Sequence, residues 1–227
     1  EKEGYVEIEK LIKENKTLKA GDKVYSVCMN KSIVMYQIGK RSMVEGLNIL
    51  GAHIDSPRLD VKQNPLYEDG GIAYLDTHYY GGVKKYQWVT LPLALHGVIV
   101  KKDGTVVNVV IGEEKDDPVF CCTDLLVHLS AERQEKKASK VIEGEDLDIL
   151  FGSMPLRDKE KDAVAGNVLK LLKEKYDVDE EDFLSAELEI VPAGEAREAG
   201  IDKSMIMAYG QDDRVCAYTS LVAMLEV

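Results

Sequence analysis

Long apolar runs are missing from this sequence. None reaches the roughly 18 residues a membrane-spanning helix takes, and the N-terminal EKEGYVEIEKLIKEN is charged where a secretory leader would be apolar. Cysteine is scarce: Cys28, Cys121, Cys122 and Cys216 are the four, two of them adjacent and none at zinc-finger spacing. That excludes a disulfide framework and a structural zinc knot. Positive charge is in the minority, with 29 Lys and Arg against 41 Asp and Glu and a net charge of −12. No nucleic acid and no membrane partner is expected, because both need a basic face. The G-x-S-x-G elbow, the Walker loop and the dinucleotide glycine fingerprint are absent, and no cysteine sits in a recognised catalytic setting. A reduced, cytoplasmic protein is the expectation. The first residue is Glu1 rather than methionine, so a preceding segment is expected too.

What is present is enough for a substantial core: 227 residues, 45% of them hydrophobic, which allows one large domain or two small ones. Tyr5, Ile8, Leu11 and Ile12 recur at helical spacing, predicting an amphipathic helix over residues 5–15. KVYSVCM and SIVMYQIG read as two strands around an Asn30–Lys31 turn. GLNILGAH follows, apolar without alternation, as an interior strand covered on both faces would be. From about 66 to 130 the chain is β-rich, and Asp103-Gly104 between two apolar runs marks a hairpin. Ser130 to Asp148 is polar and reads as surface loop. KDAVAGNVLKLLKEKY restores helical spacing, SAELEIVPAG alternates as a strand to Pro192, and SMIMAYG is a short apolar run. DDRVCAYTSLVAMLEV then reads as a helix with Asp213 near its N-terminus.

Two stretches, 47–55 and 204–213, thus share a design: an apolar strand whose C-terminal end delivers acidic or imidazole side chains. Sites in open α/β sheets form at such strand ends. His53 and Asp55 are two apart, so in a strand both side chains face one side. An imidazole that binds metal needs a partner fixing its tautomer, and a nearby carboxylate suits that role. The bland alternative is a satisfied histidine beside a turn aspartate. Asp212 and Asp213 could bridge cations or simply cap a helix, and one could cap while the other ligates. His78, His96 and His128 read as packing or surface residues. The Tyr, Trp and Gly cluster at 79–88 reads as core or interface.

Three stretches occur in order at compatible spacing: GAHIDSPRLDVKQNP, YYGGVKKYQWVTLPLALHGVIV and YGQDDRV. Together they resemble the M18 family of aminopeptidases, aspartyl-aminopeptidase-like zinc metallopeptidases, and the resemblance extends over essentially the whole chain. It implies an α/β zinc-exopeptidase-like catalytic domain, here partial, with an inserted β-rich dimerisation domain. On that reading residues 1–65 are the first part of the catalytic domain, 66–192 the insertion and 193–227 the catalytic domain continued. It further implies a homo-oligomer, a dodecamer built from dimers with sites facing an inner chamber, acting on peptides rather than folded proteins.

By the same resemblance His53 matches a metal ligand, Asp55 the catalytic aspartate that braces it, and Asp213 a carboxylate bridging two ions. Asp212 falls on a position the family usually fills with an apolar residue, and the choice between the neighbours stays open. Zinc is the implied metal, two ions per intact site, with cobalt or manganese as possible substitutes. The family's adjacent glutamates, one of them the base, and its later aspartate and histidine ligands lie beyond Val227. The expectation is therefore hydrolysis of N-terminal peptide bonds by the intact protein, and weak metal binding without turnover by these residues alone. The rival is a non-catalytic oligomerisation fragment or paralogue. In CCTDLLVHLS, Asp124 matches a specificity position held by histidine in aspartyl-specific members. A carboxylate there would favour basic or neutral N-terminal residues.

Overall fold

A seven-stranded antiparallel sheet gathers most of the buried apolar side chains in the computed structural model, which describes residues 1–226. Its strands are β4 (Arg58–Asp69), β5 (Ile72–Tyr80), β6 (Leu93–Val100), β7 (Val106–Ile111), β8 (Cys121–Cys122), β9 (Ile149–Gly152) and β10 (Ala186–Pro192). They run in the order β7-β6-β10-β4-β5-β9-β8. The late strand β10 is inserted between β6 and β4, pairing Ile190 with Leu95 on one side and Leu59 on the other. Leu59, Leu75, Leu93, Ile149 and Ile190 are fully buried in the resulting core. Each contributes roughly 1.5–3 kcal/mol relative to an exposed side chain.

The closeness of β6 to β10 depends on a missing side chain. Gly97 has φ +146°, and a Cβ there would stand 2.0 Å from the Glu187 carbonyl oxygen. Helix α4 (Ala163–Tyr176) covers part of the sheet, laying Val164 and Val168 against Ala73. Its first turn is satisfied at a distance: the Val164 and Ala165 N–H groups donate to Glu68 Oε2 at 2.8 and 3.0 Å. A carboxylate at a helix N-terminus is favoured both by those unpaired donors and by the helix dipole. The polar stretch 130–148 holds two single-turn helices, α2 (Ala131–Gln134) and α3 (Ala138–Val141). A two-stranded ribbon, β11 (Arg197–Ala199) with β12 (Met205–Met207), follows β10.

These elements belong to one compact unit, residues 56–209; the other comprises 1–55 and 210–227. The boundaries expected at 65/66 and 192/193 fall inside β4 and at the end of β10. The second unit has β1 (Val6–Glu7) parallel to β2 (Lys23–Cys28), and β2 antiparallel to β3 (Ser32–Gln37). Helix α1 (Ile8–Lys13) and helix α5 (Gln211–Glu226) complete it, the latter fastened by the Tyr5 hydroxyl donating to the Met224 carbonyl at 2.9 Å. Among the described residues no helix is long and apolar enough to cross a membrane.

The interior strand expected at 47–55 is not formed. Residues 46–57 follow a 3-10 turn closed by a capping box between Ser42 and Glu45, and they run on as irregular chain. Leu47, Ile49, Leu50 and Ile54 are exposed, Ile49 at 81%. Apolar composition describes what a central strand wants, but a strand exists only where neighbouring backbone supplies a ladder. No strand among the described residues pairs with this segment. The 204–213 stretch is corrected in the same way: only Met205–Met207 pairs, along one edge, and all three residues are exposed.

Candidate metal centre

Without a ladder, the segment at 53 is shaped by side-chain and carbonyl contacts. His53 Nδ1 lies 2.9 Å from the main-chain carbonyl oxygen of Asp55 and 3.4 Å from its Oδ1. The nearer partner is therefore the carbonyl rather than the carboxylate that the sequence suggested for the bracing role. With a proton on Nδ1 donated to that carbonyl, the lone pair of Nε2 points outward.

Nε2 faces Asp212 and Asp213. It stands 3.5 Å from Asp212 Oδ1 and 3.9 Å from Asp213 Oδ2. One ligand atom from each of the three residues lies within 4.8 Å of the other two. They meet because the backbone at Asp212 (φ −93°, ψ 114°) and Asp213 (φ −121°, ψ 44°) is not yet helical. Asp213 then acts as the N-cap of the regular part of α5, its Oδ1 accepting from the Cys216 N–H at 3.2 Å. One oxygen of Asp213 caps and the other faces the imidazole. Just before it, Gly210 holds φ +81°, with Arg214 so near that a Cβ would sit 3.2 Å from its Cζ. A side chain there would be strained as well as crowded.

Electrostatics follow these contacts. The hydrogen bond to the Asp55 carbonyl raises the His53 pKa, outweighing partial desolvation, and the three carboxylates add to the rise. The Cys216 thiol hydrogen bond holds the Asp213 carboxyl below the usual carboxylate range, and the same bond raises the thiol. The Asp212 side chain is 93% exposed and that of Asp213 24%, so the cluster opens to solvent on the Asp212 side.

The donors suit a zinc-like ion. Ligands about 2.1 Å from a tetrahedral centre stand roughly 3.4 Å apart, close to the 3.5 Å between His53 Nε2 and Asp212 Oδ1. One imidazole and two carboxylates form a mixed N and O set of the kind catalytic zinc takes. The structure thus gathers His53, Asp55 and Asp213, and adds Asp212, which the sequence left undecided because its position depends on a local backbone turn.

Asp124 is not in this cluster. It lies in the 56–209 unit just after β8, where Oδ1 accepts from the Leu125 N–H at 2.8 Å and sits 3.4 Å from Arg133 Nη1. Arg133 is shared with Asp146, at 2.8 Å. His96 is held by Glu113 at 2.7 Å, His78 stacks on Tyr79, and His128 is exposed in a 3-10 turn.

A family model described as aminopeptidase I zinc metalloprotease (M18) matches residues 1–227. The chain belongs to the M18 family. It is 66% identical, over its full length, to a probable M18 family aminopeptidase 1 of Clostridium acetobutylicum, of which it covers 49%. The crystal structure of aminopeptidase I from the same organism matches 92% of this M18 chain at 68% identity and TM-score 0.84, using 46% of that protein. More distantly, the S. cerevisiae mApe1 dodecamer shares the fold at 19% identity and TM-score 0.62 over 91% of this chain and 45% of its own. The chain spans about half the length of the curated relatives it matches.

Proposed function

We propose that this chain is part of a zinc-dependent aminopeptidase that removes N-terminal residues from peptides, and that residues 53–55 and 212–213 are one half of its metal site. The observation carrying the reading is the convergence of one ligand atom each from His53, Asp212 and Asp213 within 4.8 Å of one another. His53 offers Nε2 because Nδ1 is engaged by Asp55. Asp213 is kept ionised, one oxygen steadied by the cap. Asp212, nearer to the imidazole and more open, is the carboxylate best placed to share an ion with it. A divalent ion held there supplies Lewis-acid polarisation of the scissile carbonyl and a lowered pKa for water.

Two ions serve the intact site on this reading, zinc first, with cobalt or manganese as substitutes. A two-ion site takes about five protein ligands and a base, whereas three donors converge here among the described residues. These 227 residues alone therefore bind metal weakly and do not turn over peptide, and the base comes from residues this chain does not contain. The β-rich insertion expected at 66–192, which falls within the 56–209 unit, serves assembly in a cytoplasmic enzyme of dodecameric form. Asp124 sets a preference for basic or neutral N-terminal residues, moderated by its pairing with Arg133.

Cobalt titration of the chain beside H53A and D212N is the test. Binding by the parent, weakened in both variants, supports the site; a parent that takes up no metal at millimolar cobalt ends the reading. Asp-, Lys- and Leu-linked chromogenic substrates, offered to an M18 protein of the relatives' full length carrying these residues, test Asp124. A clear preference for the Asp substrate would remove it.

A further inference from the structure

The two chain segments that carry the metal cluster cross between the compact units at 55/56 and 209/210. Within the 56–209 unit these crossings are not equally moored. On the first, Ser56 is 7% exposed and Leu59 is fully buried. Arg58 between them is held by Asp60 at 2.8 Å and Glu189 at 3.0 Å, and lies 4.2 Å over the Tyr80 ring. Pro57 packs against Gly81, whose φ is +78° and where a Cβ would come to 3.5 Å from the proline ring. The second crossing leaves the exposed β11–β12 ribbon, in which Met205, Ile206 and Met207 are 59%, 66% and 71% exposed. The Tyr209 hydroxyl donates to the Pro57 carbonyl at 2.8 Å and so ties the second crossing to the first.

We infer that Tyr209 is a positioning residue for the metal site. It pins the start of the segment bearing Asp212 and Asp213 to the start of the segment bearing His53 and Asp55. His53 lies four residues before Pro57, and Asp212 three after Tyr209. No sheet ladder fixes either stretch, so the separation of their ends governs how often imidazole and carboxylates meet. A covalent tether of three or four residues spans at most about 14 Å, short enough to transmit a displaced end and long enough to lose register if that end is free. In this role Tyr209 acts through the backbone of both segments. The inference rests on the metal reading proposed above.

Cobalt is the probe, bound to the full 227-residue chain and to Y209F, with affinity and the ligand-field spectrum read together. Y209F keeps the ring and loses only the hydroxyl. The expected result is cobalt affinity weakened about tenfold, the scale seen when a group orienting a metal ligand is removed, with an altered ligand-field band. Tyr67→Phe is the control, because it removes a hydroxyl bonded to Asp148 at 2.5 Å elsewhere in the same unit. It lowers thermal stability while leaving cobalt affinity and spectrum unchanged. Parent-like affinity and spectrum in Y209F overturn the inference while the metal reading stands. Equal weakening in Tyr67→Phe overturns it too, since general loosening would then be the cause. Absence of cobalt binding in the parent overturns both.

Discussion

Asp213 accepts the Cys216 N–H at 3.2 Å with Oδ1, capping α5 through the same carboxylate that turns its Oδ2 to the metal cluster. Its two duties separate by substitution. Serine caps a helix about as well as aspartate but offers no carboxylate; alanine does neither. D213S is expected to keep the stability of the parent within a few tenths of a kcal/mol and to lose cobalt affinity. D213A should lose the same affinity and, in addition, about 0.5–2 kcal/mol of stability. Urea unfolding beside cobalt titration checks this. If D213S and D213A prove equally unstable, the capping role is not what Asp213 contributes.

Asp177 gives a pH prediction away from the site. It ends α4 in the left-handed region (φ +54°), where Lys101 and Lys173 hydrogen-bond its carboxylate and hold its pKa at about 2. A depressed carboxylate contributes stability above its unfolded value near 3.8 and loses it as pH falls toward the folded value. The parent should therefore be more stable than D177N at pH 5, and the gap should close between pH 4 and 2. Because the group is exposed, the gap will be small. Thermal melts of both proteins across that range decide it, and a gap that widens on acidification would contradict the sign.

How much of this was legible beforehand depends on whether the cause was local. The Asp103-Gly104 hairpin was, because its turn is closed by neighbours: the Thr105 N–H donates to Asp103 Oδ1 at 2.8 Å and Gly104 takes φ +86°. Helix α4 was readable from Val164 and Val168 at helical spacing, yet Glu68, which satisfies its first turn from 96 residues away, was not. The run 47–55 misled because apolar content says what a strand would bury and nothing about which strand would lie beside it. His53 and Asp55 do lie together, but not for the reason their spacing suggested, since no strand forms at 46–57 and the nearer contact is to the Asp55 carbonyl. The choice between Asp212 and Asp213 stayed open, since the approach of Asp212 to His53 depends on extended backbone inside what reads as the first turn of a helix.

Three of the four cysteines should separate by environment. Burial pushes the Cys122 thiol up to about 12, and its Sγ donates to the Leu147 carbonyl at 3.3 Å. The thiolate is the reactive form, so Cys122 should react with a disulfide reagent only once the protein unfolds. Cys28 is exposed and should react first. Cys216 is exposed as well, but the Asp213 carboxylate raises its pKa, so it should lag behind Cys28 at pH 7. Mass spectrometry of timed labelling resolves the order, and D213S should bring Cys216 closer to Cys28. Early modification of Cys122 in folded protein would mean that the β8–β9 edge opens readily.

Gly97 sits where β10 enters between β6 and β4, and the whole long-range arrangement of the sheet runs past it. An added methyl would meet the Glu187 carbonyl oxygen at 2.0 Å and the Leu188 Cα at 2.9 Å, both backbone atoms that cannot rotate away. The backbone there also occupies φ +146°, which side chains with a Cβ rarely adopt. Relief requires the two strands to separate, weakening the register that pairs Gly97 with Leu188. G97A should therefore destabilise the 56–209 unit by at least the 1–3 kcal/mol typical of overpacking. Alanine at Gly104, in the exposed β6–β7 turn with nothing within 4 Å, supplies the comparison, since it tests positive φ without the clash. Urea midpoints should fall further for G97A than for G104A; equal losses would assign the effect to backbone conformation and leave the close strand approach without energetic weight.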